Sequence, residues 1–468
     1  MAKLTFGVIV GNRGFFPDVL AKDGRKNILD VLKKNGYNAV SLPIKESKHG
    51  AVETFEEAKR CAALFASKAD KIDGIIVTLP NFGDEKGVAE AIKRSGLRVP
   101  ILIQAETDHP ANMMMGQRRD SFCGKISVCN NLRQAAIPFT LTSSHTVSVV
   151  SDEFAADLAS FAGVCRIVKG LRNVRFGAIG SRPAAFNTVR YSEKLLELYG
   201  ISVEPVDLYE ILGRVDQLGD KDAGVRSKLS AIKKYTTTDT IPDAALLKMA
   251  KFGRVVDQWI KENDLAGTAI QCWTALEEFF GIVPCTLMSM MSESLVPSAC
   301  EVDITGLLAM YTLQLAAGTP SALMDWNNNF SEDPDKCVLF HCSNLPRSFF
   351  QDEKMDFQEI IAGSVGKDKT YGTIVGRIKP GCATFCRTST DDSDGVIRAY
   401  LGQGEFTKDK LSSFGGYGVM QIPALQDLLQ YICRMGFEHH VAVSLSESAD
   451  AIEEALENYL GWDVYRHS

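Results

Sequence analysis

Two acids within Met288–Phe330 (MSMMSESLVPSACEVDITGLLAMYTLQLAAGTPSALMDWNNNF) stand where side chains can do chemistry. Glu301, with Asp303 close behind it, opens a stretch in which Ile304, Leu307, Leu308, Tyr311 and Leu315 recur at helical spacing. That period predicts a helix with an apolar face. Gly318 ends it as a C-cap and Pro320 prevents its continuation. Ser321–Trp326 then predicts a short buried strand that delivers Asp325 at its end, with Trp326-Asn327-Asn328-Asn329 as the turn. A strand packed antiparallel to that helix brings Glu301 and Asp325 together. Two carboxylates at one place can exchange protons with a substrate or hold a cation.

Each acid taken alone has an ordinary use, Glu301 against a helix dipole and Asp325 as a turn cap. The histidines make the joint reading worth testing, because only seven occur. His341 lies inside the apolar run Val338-Leu339-Phe340-His341-Cys342, where a lone histidine is usually a satisfied core residue. His439-His440 precede the apolar strand Val441–Leu445, where a solvated pair is the plain alternative. Two carboxylates with one or two imidazoles form an oxygen and nitrogen donor set. Such a set suits Mn2+ or Mg2+ better than structural zinc.

The elements that must position these groups begin with Leu4–Val10, a buried strand turning at Gly11-Asn12-Arg13-Gly14. A helix through Ile28, Leu29, Val31 and Leu32 stops at Gly36, and residues 39–42, 74–80 and 99–104 read as further strands with helices between them. This alternation predicts a parallel sheet covered on both faces, with ligands at the carboxyl ends of its strands. Those ends carry Asn12-Arg13, Asn81 and Glu106-Thr107-Asp108-His109. The pattern restarts at Val174–Gly180, continues through a long helical region interrupted near Ile241-Pro242, and reaches the strand Gly267–Trp273. After Pro334, short strands bounded by Gly, Asp and Ser (337–342, 372–378, 381–387, 395–402) predict a β-rich domain. The reading is an α/β protein with a first α/β domain at residues 1–165. A second, at 166–335, carries the acids, and a β-rich domain covers 336–468.

Weaker signals add little. Phe176–Ser181 resembles a glycine-rich nucleotide turn but lacks the G-x-G-x-x-G order, and Asp207 lies too far on to serve as its ribose acid. Cys382-x-x-x-Cys386 has no second pair, which argues against zinc. Arg13 and Arg182 each follow the first strand of an α/β unit, where an anion or sugar hydroxyl can be met.

Across 468 residues with 45% hydrophobic content, a large core is expected. The balance of 51 Lys+Arg against 58 Asp+Glu gives a net charge of −7 without a basic face, which excludes a nucleic-acid footprint. The apolar runs are too short for a bilayer, which needs ~20 residues. The opening MAKLTFGVIVGNRG reads as a strand and not as a signal peptide. Twelve scattered cysteines read as reduced, buried thiols of a cytoplasmic protein.

Ser298-Ala299-Cys300-Glu301-Val302-Asp303, a helix, and then Met324-Asp325-Trp326-Asn327-Asn328 together resemble the core of the L-fucose isomerase and L-arabinose isomerase family. The resemblance implies two doubly wound α/β domains followed by a C-terminal β-barrel-like domain. It also implies aldose–ketose interconversion, and Mn2+ (with Mg2+ or Co2+ as alternatives) held by Glu301, Asp325 and His440. His440 matches the family's late histidine in Gly436-Phe437-Glu438-His439-His440, and His341 resembles an additional histidine of the arabinose isomerase branch, as ligand or as donor to the sugar. On this reading Glu301 is ligand and proton-transfer base, Asp325 is ligand and acid/base partner, and Trp326 and Asn327 contact the sugar. Which carboxylate abstracts the proton stays open. The family closes its pocket with a neighbouring subunit, which gives Arg13 and His109 a role in a homo-oligomer (trimer or hexamer). Two other functions share these features: a metal-dependent aldolase or epimerase using the same enediolate, and a sugar-binding protein without catalysis.

Overall fold

The computed structural model describes residues 3–468. The chain forms two compact units, one running to Lys169 and including Asp450–Gly461, the other comprising Gly170–Ala449 with Trp462–Ser468.

The first unit is built on a parallel sheet ordered β2-β1-β3-β4-β5, with β1 Thr5–Val10, β2 Asn38–Ser41, β3 Gly74–Leu79, β4 Ile101–Ala105 and β5 Thr140–Leu141. β3 and β4 are buried at every residue, as apolar strands covered on both faces must be. Between strands the helix Phe55–Ala66 starts on a capping box, Thr54 with Glu57, and Glu85–Ser95 starts on Asp84 and ends at a left-handed Gly96. The polar groups at these strand ends largely satisfy one another. Asn81 Nδ2 donates to Asn12 Oδ1 at 2.7 Å, and Asn12 Nδ2 donates to Glu53 Oε2 at 2.8 Å.

In the second unit a four-stranded parallel sheet is ordered β7-β6-β8-β9, with β6 Val174–Ile179, β7 Ile201–Val206, β8 Gly267–Ile270 and β9 Ser298–Cys300. The long helical region is two helices, Ala223–Tyr235 and Asp243–Glu262, separated around Pro242 as the sequence predicts. The remaining strands form one nine-stranded mixed sheet. They are β10 Ser321–Asn329, β11 Lys336–His341, β12 Phe350–Phe357, β13 Tyr371–Ile378, β14 Gly381–Asp391, β15 Val396–Phe406, β16 Gly416–Gln421, β17 His440–Ser444 and β18 Asp463–Arg466. The spatial order is β12-β13-β16-β11-β10-β17-β14-β15-β18, and β15 pairs a second time with β16.

Two sequence expectations are corrected here. β10 does not turn at Trp326; it runs to Asn329 against β11, with a register shift between Trp326 and Asn328. A β-bulge absorbs the polar run that reads as a turn. The twelve cysteines are all free, but Cys123, Cys382 and Cys433 are exposed, not buried. Among the described residues no helix is long and apolar enough to cross a membrane.

Candidate active site

The helix Ile304–Ala317 is buried on nearly all sides, and its N-cap is Asp303, whose Oδ1 accepts from Gly306 N at 2.8 Å. The same aspartate cannot be reached from β9 by ordinary backbone. Cys300 pairs with Ile270 in the parallel ladder, and the chain then takes left-handed conformations at Glu301 (φ 55) and Val302 (φ 57). For non-glycine residues, and above all for a β-branched valine, this costs on the order of 1–3 kcal/mol per residue. Such strain persists where packing over-determines it, and here it sets Glu301 at the strand's carboxyl end.

The sheet supplies the opposite wall. Asp325 on β10 is directly opposite His440 on β17 and Phe340 on β11. His440 therefore lies between the two acids. Its Nε2 is 3.6 Å from Glu301 Oε2 and 3.5 Å from Asp325 Oδ1. His439 Nε2 approaches Asp325 Oδ1 at 3.7 Å from a more exposed position. The donor atoms of Glu301, His341 and His440 lie within 4.8 Å of one another, and so do those of Asp325, His439 and His440.

Behind His440 runs a buried chain of charges that sequence reasoning missed. His440 Nδ1 is 2.7 Å from Asp303 Oδ2. Arg387 on β14 grips Asp303 through Nη1 at 2.5 Å and Nη2 at 3.0 Å, and its Nε donates to Glu438 Oε2 at 3.1 Å. Asp303 and Arg387 are fully enclosed. Burial alone pushes the Asp303 carboxyl up, but the Arg387 charge and the hydrogen bond to His440 outweigh it and hold the group well below the usual carboxylate range. An ionised Asp303 accepts a hydrogen bond from His440 Nδ1–H, which fixes the ring so that Nε2 faces Glu301 and Asp325. A charged residue directly after the largely apolar β14 run Cys382–Cys386 is the signal that could have found Arg387, since a buried guanidinium requires partners.

Glu301 is 4% exposed. Its Oε1 accepts from Trp273 Nε1 at 2.9 Å and from the Cys272 thiol at 3.4 Å, while Oε2 accepts no hydrogen bond among the described residues. Burial pushes its carboxyl up, opposed by the neighbouring His440 and His341. His341 is pushed up to about 10: burial lowers it, but Cys342 beside it, Asp325 and Glu301 together prevail.

These groups face a cavity of about 610 Å³ whose wall includes Glu301, Asp325, Trp326, Asn327, His341 and His440, together with Phe186, Trp273, Gln358 and Ile360. Glu301, Asp325, His440, His341, Trp326 and Asn327, all singled out in the sequence, thus meet at one place. Trp326 is held by its Nε1, which donates to Tyr400 Oη at 2.8 Å. Arg13 belongs to the first unit, where it donates to Gly83 O at 2.9 Å, pairs with Glu85 and lies over the Phe82 ring. Arg182 donates to Pro183 O and is not a wall residue.

The donor set fits a divalent cation. A buried carboxylate oxygen without a hydrogen bond faces an imidazole nitrogen whose lone pair is freed by Asp303, and a second carboxylate lies on the other side. Oxygen and nitrogen donors of this kind match Mn2+, Mg2+ or Co2+. They also place two carboxyl groups beside one cavity.

Residues 7–172 match the family model for the fucose/sulfoquinovose isomerase N-terminal domain, and residues 339–468 match that for the L-fucose isomerase C-terminal domain. Among curated relatives, sulfoquinovose isomerase of Alkalicoccus urumqiensis is 26% identical over 272 residues, 58% of this chain and 59% of the relative. Sulfoquinovose isomerase of Priestia aryabhattai is 23% identical over 276 residues, 59% of this chain and 60% of the relative. That of Clostridium sp. (strain MSTE9) is 22% identical over 293 residues, 60% and 62% respectively. The chain thus spans about 60% of the length of the curated relatives it matches. The two domain matches together cover more than half of its residues, and on that ground the chain belongs to the fucose/sulfoquinovose isomerase family of sugar isomerases.

Proposed function

We propose that this chain is a metal-dependent aldose–ketose isomerase acting on a free monosaccharide through a cis-enediol(ate). The observation that carries the reading is the placement of His440 Nε2 between Glu301 and Asp325 on the wall of a sugar-sized cavity. Shifting a proton between C1 and C2 needs a base on one face of the enediol and an acid on the same face to return the proton. Glu301 is the base: burial makes its carboxylate a better proton acceptor, and Oε2 carries no competing hydrogen bond. Asp325 is its acid/base partner. Trp273 holds Glu301 in place through Oε1, and Trp326 and Asn327 orient the sugar. Glu301, Asp325 and His440 would hold the cation, with His341 as a further ligand or a donor to the sugar. When bound, a divalent cation supplies Lewis-acid stabilisation of negative charge developing at O1 and O2.

The cavity wall favours a neutral aldose, a deoxyhexose or pentose. It offers aromatic rings and Ile360 and Ile361, and neither lysine nor arginine. A 6-sulfonated hexose such as sulfoquinovose is the second reading, supported by the names of the relatives. Beyond the imidazoles already on the wall it would call for a dedicated guanidinium or ammonium, and Arg13 of another copy in a homo-oligomer (trimer or hexamer) would serve; that assembly rests on the family resemblance alone. The three-domain division belongs to the same reading, and so does a closed, barrel-like C-terminal domain, the latter supported by the second pairing of β15 with β16.

The test is ketose formation by the Glu301→Gln variant. It should keep the parent's circular dichroism and lose turnover by about two to four orders of magnitude, the usual range for a removed general base. A folded variant with an unchanged rate would remove Glu301 from the chemistry.

A further inference from the structure

Four thiols gather near Glu301, and one of them, Cys342, also reaches His341 Nδ1 at 3.6 Å. Cys300 sits at the centre, with the thiols of Cys272, Cys285 and Cys342 around it. Cys272 and Cys300 are 3% and 0% exposed, and Cys272 Sγ already touches Glu301 Oε1 at 3.4 Å. The ligand atoms of Cys272, Cys300 and Glu301 all lie within 4.8 Å of one another. Asn344 Nδ2 donates to Cys300 Sγ at 3.4 Å, fixing that sulfur from behind. The isomerase reading uses none of these sulfurs.

From this geometry we propose that Cys272, Cys300 and Glu301 form a second cation site, selective for a thiophilic ion of the Zn2+ or Cd2+ type. Zinc bonds of about 2.3 Å to sulfur and about 2.0–2.2 Å to oxygen place neighbouring ligand atoms roughly 3.5–3.8 Å apart in a tetrahedron. The Cys272–Glu301 separation of 3.4 Å lies close to that range, and the remaining separations are no more than 4.8 Å. Three protein ligands leave a fourth position open for water. Binding releases one proton from each thiol to solvent, and the ion gains two thiolate bonds and one carboxylate bond. Soft sulfur ligands separate this site from the carboxylate–imidazole set beside it, which suits harder ions. The entry path is the sugar cavity, whose wall includes both Glu301 and Cys342. One consequence rests on the isomerase reading: an ion held here takes Glu301 away from proton transfer and inhibits.

The test uses the full chain, reduced and stripped of metal, with the exposed Cys123, Cys382 and Cys433 changed to serine. Cd2+ titration should give one ion per chain that carries an ultraviolet thiolate-to-cadmium charge-transfer band, whatever the carboxylate–imidazole set also takes up. Cys272→Ser and Cys300→Ser should each abolish most of the band, and Cys61→Ser, a buried thiol of the first unit, should leave it intact. Glu301→Gln should weaken uptake at least tenfold while the band per bound ion persists, which serves if a cysteine variant fails to fold. Absence of a band in the folded parent, or a band that survives both Cys272→Ser and Cys300→Ser, would overturn the site. Because the band is read without sugar, failure of the isomerase reading leaves this result untouched. If turnover is found, Cd2+ inhibition relieved by Cys272→Ser confirms the consequence, and inhibition unchanged in that variant refutes it.

Discussion

Asp303→Asn is the perturbation that separates the roles of the buried charge chain. The substitution keeps shape, and asparagine is as good an N-cap as aspartate, so the helix Ile304–Ala317 keeps its start. What is lost is a full charge against a guanidinium that has no access to water. Removing one partner of a buried ion pair costs about 3–5 kcal/mol. Arg387 retains Glu438 at 3.1 Å and Thr305 Oγ1 at 2.8 Å, so the low end of that range, about 3 kcal/mol, applies. That is roughly a hundredfold in the folding equilibrium and a large share of a typical total of about 5–15 kcal/mol. The second loss is local to His440, whose Nδ1 no longer faces an anion, so its tautomer is no longer set. Loss of such an orienting carboxylate lowers metal affinity about 10- to 100-fold. Urea unfolding followed by tryptophan fluorescence measures the first effect, and free Mn2+ by electron paramagnetic resonance measures the second. Asp303→Asn with Arg387→Met and Glu438→Gln should recover most of the stability, since no unpaired charge remains, but none of the Mn2+ affinity. Should Asp303→Asn leave both the urea midpoint and the Mn2+ affinity at parental values, the proposed role of the chain is wrong.

Three other outcomes are expected. Glu277 is 1% exposed, its Oε2 lacks a hydrogen-bond partner among the described residues, and burial pushes its carboxyl up to about 8. The folded state therefore holds a proton that the unfolded chain releases near pH 4.5, so stability should fall as pH rises between about 4.5 and about 8. Glu277→Gln should flatten that slope in urea midpoints taken across the window; parallel slopes for parent and variant would contradict the assignment. Trp273→Phe removes the indole donor to Glu301 Oε1, a hydrogen bond to a charged group worth about 1.5–3 kcal/mol, and should lower kcat about 10- to 100-fold with an unchanged fold. In a competition assay, neutral deoxyhexoses or pentoses should exceed 6-sulfonated hexoses in kcat/KM; the reverse order would demand a lysine or arginine that the cavity wall does not contain.

The site was legible in the sequence where chemistry and local pattern coincide. Glu301 and Asp325 flank a helix–strand unit that the apolar spacing of Ile304 to Leu315 and the Gly318 stop already outline, and the structure keeps that unit. What joins them is non-local. Asp325 meets His440 through the β10–β17 register, over a separation no period in the sequence encodes. Asp303 was visible only as a helix-start acid, because its partner Arg387 lies on a distant strand. The polar run after Asp325 misled for a physical reason: a bulge lets asparagines continue a strand where a turn is the commoner outcome. Regular α/β alternation predicted the parallel sheets well, since period-based signals report burial directly, whereas the pairing order of the nine-stranded sheet depends on contacts between residues far apart in the chain.

The central claim is that Glu301, Asp325 and His440 form a cation-dependent proton-transfer site for an aldose. Ketose formation from a panel of neutral and 6-substituted aldoses, using chelator-stripped protein with and without added Mn2+, tests it most directly. Conversion of one sugar that is lost on stripping and restored by Mn2+ is the predicted result. Conversion that proceeds equally well without any divalent cation, or carbon–carbon cleavage in place of an aldose–ketose equilibrium, would contradict it.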